Sequence, residues 1–378
     1  MRLLLFGILL LVVSLPVGYT EESAAATELN NQAIQEAQAG HLTEAVSLLR
    51  QAWELAPSDS KIRSNFSQAL TDQALALRRS GRTEQAVKLF RESVQVDAAN
   101  GRAWIELGNL CYLELNDFDQ AIDCWKQARG LVPASHWQAV SERLSQAERD
   151  RMIERRFAAY PTEHFQIRFP GPEYEEMAVR IGQWLETEYD LFSKELGVSP
   201  RPTVILYGGK DFERLSARRD WSIGFYDGRI RIRIEDIGTP YEPQILSHEL
   251  AHAFLHEAYG NRIPTWLHEG YAQLKEPPRM LSPREKELES RLVSGTAWIP
   301  LKWLDSRFEQ PSNTEDVGRA YMESRIVAQF LINAHGMERF KEFLERLASG
   351  ESMEGAFDAS FSPSRWSRVE QGILETPR

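Results

Sequence analysis

Two hydrophobic periods divide the chain. Over residues 28–133 apolar positions recur at helical spacing, and one phrase returns three times. The copies are GHLTEAVSLLRQAWELAP from Gly40, GRTEQAVKLFRESVQVDA from Gly81 and NDFDQAIDCWKQARGLVP from Asn116. In each, a turn residue opens the second helix of a hairpin, a small Ala (Ala45, Ala86, Ala121) permits close packing on the first, and a bulky residue (Leu49, Phe90, Trp125) follows one turn later. Pro57 and Pro133 end two of the copies. A further helix, SHWQAVSERLSQAERDRMIERRF, gathers Trp137, Val140, Leu144 and Ala147 on one face, as a helix closing the end of a repeat stack would. Near Tyr160 the period changes: EHFQIRF and PTVILY read as strands flanking a long amphipathic helix. WSIGFYDGRIRIRIED then reads as a hairpin turning at Asp227-Gly228, with Ile230, Ile232 and Ile234 alternating with Arg229, Arg231 and Arg233. Helices dominate from Glu242 onward.

The repeated phrases resemble tetratricopeptide repeats. The third is clearest because AWIELGNLCYLELNDFDQAIDCWKQARGLVP carries both helices. The anchoring alanines are 41 and then 35 residues apart, against about 34 for that family, so the first linker or helix is longer than usual. The expected organisation is a leader or anchor at 1–25, helical repeats with a capping helix at 26–157, and an α+β domain at 160–378.

Composition narrows the function classes. A formal net charge of -11 disfavours nucleic acid as a partner, because phosphate binding needs clustered cations. The opening MRLLLFGILLLVVSLPVGYTEESAAA sets a basic Arg2 before an apolar run from Leu3 to Leu15 and a helix-breaking Pro16. The run is shorter than the roughly 20 residues that span a bilayer, so it reads as a removed secretory signal peptide. An uncleaved anchor is the alternative, and would be the one contact with a membrane. No Cys follows the run, which argues against a lipoprotein. Export to a bacterial periplasm or cell envelope is the expected location. The two cysteines, Cys111 and Cys124, lie far from any histidine cluster, so a Cys-rich zinc site is excluded. They read as a disulfide or as two buried thiols.

Candidate chemistry concentrates in LSHELAHAFLHEAYGNRIPTWLHEG, residues 246–270, which holds four of the eight histidines and three glutamates that each follow a histidine. His248 and His252 stand one helical turn apart on one face, so two imidazole nitrogens can converge on one ion. Glu249 lies about 100° round the helix from His248, where it borders such an ion as a general base would. A zinc ion needs a third protein ligand. His256 is about 12 Å of helix rise from His248, too far to share one ion, and Glu257 faces away from His252. The longer metzincin pattern is excluded because Leu255 and Ala258 occupy its Gly and final His positions. Beyond Gly260-Asn261 and Pro264, a second helix folding back could bring a residue some 17 positions after His252 to the ion. His268 and Glu269 both qualify, and they point about 100° apart, so helix geometry admits only one of them.

HELAH followed by PTWLHEGYA is similar to the gluzincin metallopeptidases, especially a bacterial group of compact gluzincin-like domains with P-x-W-[LI]-x-E-G-x-A after the zinc helix. That resemblance implies one zinc ion held by His248, His252 and Glu269, with Glu249 as general base and His268 at a variable, non-ligating position. FQIRFPG, VILYGGKDFERLS, GFYDGRIRI and AYMESRIVAQFLINAHG extend it over roughly residues 162–348. It places the strand GRIRIRI at the edge of the active-site cleft, where an extended peptide could add. Its arginine face would then favour acidic substrates, or be a solvated strand face. It also makes Tyr321 an oxyanion-stabilising candidate, a packed aromatic being the other reading.

The fold class expected is a multidomain chain: an all-α tetratricopeptide-like solenoid followed by an α+β gluzincin (zincin-like) metallopeptidase domain. The function expected is an exported zinc metallopeptidase acting on protein or peptide substrates, with the repeats docking a protein partner or the substrate. The alternative is a repeat scaffold whose zinc domain is structural. No GAMEN-like stretch precedes His248, which leaves endopeptidase and aminopeptidase action both open.

Overall fold

A computed structural model describes residues 18–215, 224–278, 280–293, 299–309, 314–362 and 364–369. The apolar run from Leu3 to Leu15 lies outside these residues, and position 25, expected to end the leader, falls inside the first helix, α1 (Gly18–Gln38). The chain forms two compact units that divide between Glu148 and Arg149.

The first unit is helical throughout its described residues. Helices α1 and α2 (Leu42–Leu55), α3 (Ser60–Arg79) and α4 (Thr83–Val96), and α5 (Gly101–Leu113) and α6 (Phe118–Ala128) pack as successive hairpins. The residues opening each repeated phrase, Gly40, Gly81 and Asn116, all have positive φ, which a tight helix-to-helix turn requires. Ala45, Ala86 and Ala121 are fully buried, as are Phe90 and Trp125. Gly108 leaves room for Trp125: a Cβ there would come within 2.5 Å of the indole nitrogen. The long first spacing is explained by α3, whose 20 residues exceed the 13 of α5. Cys111 and Cys124 are buried and unbonded, and the Cys111 thiol donates to Gln120 Oε1 at 3.2 Å. Burial pushes the Cys111 thiol up to about 12, which keeps it protonated.

The second unit begins inside helix α7 (Ala134–Glu154). Its five-stranded sheet comprises β1 (Ala158–Pro161), β2 (Gln166–Phe169), β3 (Thr203–Tyr207), β4 (Gly224–Tyr226) and β5 (Ile230–Arg233), in the order β1-β2-β3-β5-β4. The β2–β3 and β3–β5 pairs are parallel, and the two outer pairs antiparallel. Ile167, Val204, Leu206, Ile230 and Ile232 enter one core with α8 (Glu175–Leu196) and α10 (Glu242–Tyr259), while Ile205 and Tyr207 cluster with Phe212 of α9 (Gly209–Leu215). The remaining helices are α11 (Thr265–Lys275), α12 (Pro283–Val293), α13 (Leu304–Glu309), α14 (Thr314–His335), α15 (Met337–Ala348), α16 (Met353–Phe361) and α17 (Trp366–Val369).

Two expectations about the hairpin are corrected. GRIRIRI gives an extended peptide no sheet edge to join, because β5 pairs with both β3 and β4; among the described residues the outer strands are β1 and β4. Its arginine face is also not solvated and cannot select acidic substrates, because Arg229 and Arg231 are fully buried. Arg229 donates to Glu154 Oε2 at 2.7 Å, and Arg231 donates to Asp150 Oδ2 at 2.7 Å and Asp227 Oδ2 at 2.9 Å. Tyr207 and Arg168 also bond Glu154. Three guanidiniums therefore meet three carboxylates, the arrangement that makes burying charge tolerable. Only Arg233 reaches solvent, paired with Asp236. Asp150 and Glu154 lie on α7, which explains why the second unit starts at Arg149 rather than near residue 160.

Candidate metal centre

Helix α10 is held on several sides, with Ile245, Leu246, Leu250, Ala251, Phe254 and Leu255 all buried. That leaves the face carrying His248 and His252 toward a cavity of about 210 Å³. Gly260 breaks the helix at φ 64°, and Pro264 precedes α11, which lies against α10. The turn brings Glu269 back over the two histidines. Its Oε2 lies 3.2 Å from His248 Nε2 and 3.4 Å from His252 Nε2, and one donor atom from each residue falls within 4.8 Å of the others. All three side chains are largely buried, at 13–15% exposure.

The donor set suits a divalent ion of zinc type. Two atoms each bonded at about 2.1 Å to a tetrahedral ion stand about 3.4 Å apart, close to the nitrogen-to-oxygen separations here. Two imidazoles and a carboxylate are a recognised catalytic set that leaves a fourth position for water or substrate. Protonation follows the same geometry. Burial alone would disfavour charge on His248, but hydrogen bonds to Glu269 and Glu276 outweigh it and hold its pKa well above the usual histidine range. Burial likewise opposes ionisation of Glu269, yet the charge of His252 and bonds from both histidines keep its carboxyl below the usual range.

Other clustered residues separate clearly. Glu249 is 5% exposed and lines the cavity, where a Cβ on Gly224 of the edge strand would come within 3.1 Å of its Oε1. His256 lines the cavity with its ring 5.6 Å from Tyr226, and Glu257 is exposed. His268 sits beside the cluster, its ring 5.9 Å from that of His252, and burial together with His252 lowers its pKa to about 3. Tyr321 lines the cavity from α14, with its ring 6.3 Å from His248 and 5.1 Å from Phe308.

Sequence reasoning missed Glu276. Its Oε1 is 2.9 Å from His248 Nδ1, so it fixes the ring and directs Nε2 toward the donor cluster. No periodic signal links positions 28 residues apart. Outer carboxylates of this kind contribute about 10–100-fold to metal affinity. Glu276→Ala is expected to weaken zinc binding by that factor in calorimetric titration, with the secondary structure unchanged. Gly270 was legible only as a motif letter. A Cβ there would come within 2.5 Å of the Ser324 carbonyl oxygen, so glycine permits the close approach of α11 to α14.

Comparison with known proteins adds to this geometry. Residues 220–364 match a family described as the Peptidase MA superfamily, so α10, α11 and α14 all fall within the matched stretch. A relative, the probable UDP-N-acetylglucosamine--peptide N-acetylglucosaminyltransferase SPINDLY of Hordeum vulgare, is 32% identical over 89 residues. That match covers 24% of this chain and only 9% of the relative's length. The chain thus pairs an N-terminal helical repeat-like region with a stretch, residues 220–364, that is similar to the Peptidase MA superfamily.

Proposed function

We propose that this protein is an exported zinc metallopeptidase that hydrolyses peptide bonds, with Glu249 as general base. The carrying observation is the convergence of His248, His252 and Glu269 beside Glu249 in one cavity. When bound, zinc supplies a Lewis acid that polarises the peptide carbonyl and acidifies water. The chain's own residues do the rest. His248, His252 and Glu269 hold the ion, and Glu276 fixes the His248 ring. Glu249 takes a proton from the attacking water and passes it to the leaving amine. The strand β4, Gly224–Tyr226, lines the same cavity.

A purely structural zinc site would be closed and need no base, whereas this one opens on a cavity containing Glu249. The repeats are proposed to dock the substrate or a protein partner. Export rests on the apolar run from Leu3 to Leu15. Among the described residues no helix is long and apolar enough to cross a membrane. The reading predicts that a zinc chelator abolishes hydrolysis of unstructured protein substrates, and that added zinc restores it. Full activity after complete metal removal would refute it.

A further inference from the structure

The rotational setting of α11 decides which of two neighbouring side chains meets α10. His268 and Glu269 project about 100° apart around the helix axis, so a turn of one residue's arc would exchange carboxylate for imidazole at the donor cluster. Contacts to two neighbouring helices restrain that rotation along the helix. Gly270 abuts the Ser324 carbonyl, and Tyr271 and Lys275 both bond Glu195 of α8, at 2.8 and 2.5 Å.

The third restraint is at the helix start. Pro264 occupies the N-cap and offers no side-chain acceptor. Its carbonyl takes the amides of Leu267 and His268 at 3.1 and 3.3 Å. The amide of Trp266 instead donates to Asp305 Oδ1 at 2.9 Å, an acceptor supplied by α13 from 39 residues downstream. A carboxylate there also faces the positive end of the helix dipole. The segment that carries Asp305 is itself anchored. Ile299 N donates to both carboxylate oxygens of buried Glu323, at 2.9 and 3.1 Å, and Leu301 and Leu304 are buried. Trp266, whose amide is capped, is 2% exposed, so the first turn of α11 is packed as well as bonded.

We propose that Asp305 is a positioning residue for the metal centre: its cap on Trp266 fixes the rotation of α11 and so presents Glu269, rather than His268, to His248 and His252. This rests on the metal reading above. The test is zinc titration of the chelator-stripped full chain, with thermal melts in both metal states and cobalt absorption spectra, for wild type, Asp305→Ala and Asp305→Asn.

Asp305→Ala should bind zinc about tenfold more weakly, show a smaller zinc-induced rise in Tm, and give a cobalt spectrum altered by His268 entering the ligand set. Asp305→Asn keeps an acceptor and should behave as wild type. Adding His268→Ala to Asp305→Ala should remove the altered spectral component. If Asp305→Ala does not fold, Asp305→Glu, which displaces the acceptor by one methylene, carries the same expectations.

Unchanged zinc affinity and cobalt spectrum in the variant would overturn the proposal. So would an equal loss of Tm with and without zinc, which is what a merely structural role gives, or a loss in Asp305→Asn as large as in Asp305→Ala. A wild-type protein that binds no zinc would instead overturn the metal reading itself.

Discussion

Replacing Glu249 by Gln should abolish peptide hydrolysis while leaving zinc in place. The substitution keeps the side chain's size but removes the basic carboxylate that would accept a proton from water. A positioned general base contributes about 10²–10⁴-fold to rate, so kcat should fall by at least that range. Glu249 lies outside the three-residue donor group, so zinc affinity should change little. The check pairs metal analysis with a fluorogenic peptide assay. A Glu249→Gln protein of normal activity would remove the base from the account, and a zinc-free one would make Glu249 a ligand.

The largest expected effect on stability lies away from the cavity. Glu154→Ala should destabilise the protein by about 3–5 kcal/mol, because it leaves buried guanidiniums without their counter-charge. Arg168, Arg229 and Tyr207 all bond that carboxylate, and both Glu154 and Arg229 are fully buried. By contrast Arg214→Ala, which breaks the exposed pair with Asp211, should cost no more than about 1 kcal/mol. Urea unfolding of the two variants compares them directly. For the same reason a chain starting at residue 160 should fail to fold cooperatively, whereas one starting at 149 keeps Asp150 and Glu154. Equal unfolding midpoints for Glu154→Ala and Arg214→Ala would contradict this.

These two regions differ in how far they could be read in advance. His248 and His252 were legible because their relation is local: one helical turn sets their spacing. For the third position, helix geometry reduced the choice to His268 or Glu269 and went no further, and the likeness to gluzincins selected Glu269. The structure brings Glu269 into the donor group and leaves His268 beside it. The contacts that set this, Gly270 against Ser324 and Asp305 on Trp266, are long-range and leave no periodic trace.

The arginine strand fails for a related physical reason. Strict alternation of Ile and Arg separates two faces of β5 but does not reveal which face meets water. The charges that cover the arginine face come from Asp150 and Glu154, in a helix that reads by periodicity as the end of the repeats. Likewise the Asp227-Gly228 turn specifies the pairing of β4 with β5, but not the parallel pairing of β5 with β3 that moves it off the edge. In the repeat region nearly every relation is local, and there the turn residues and buried alanines could be named from the phrase alone.

Whether Glu269 completes a zinc site with His248 and His252 is tested most directly by zinc titration of chelator-stripped Glu269→Ala against wild type. Wild type should take up one zinc ion. Glu269→Ala should lose more affinity than the about 10–100-fold that an outer carboxylate contributes. One tightly held zinc ion in Glu269→Ala, with His268 intact, would contradict the account.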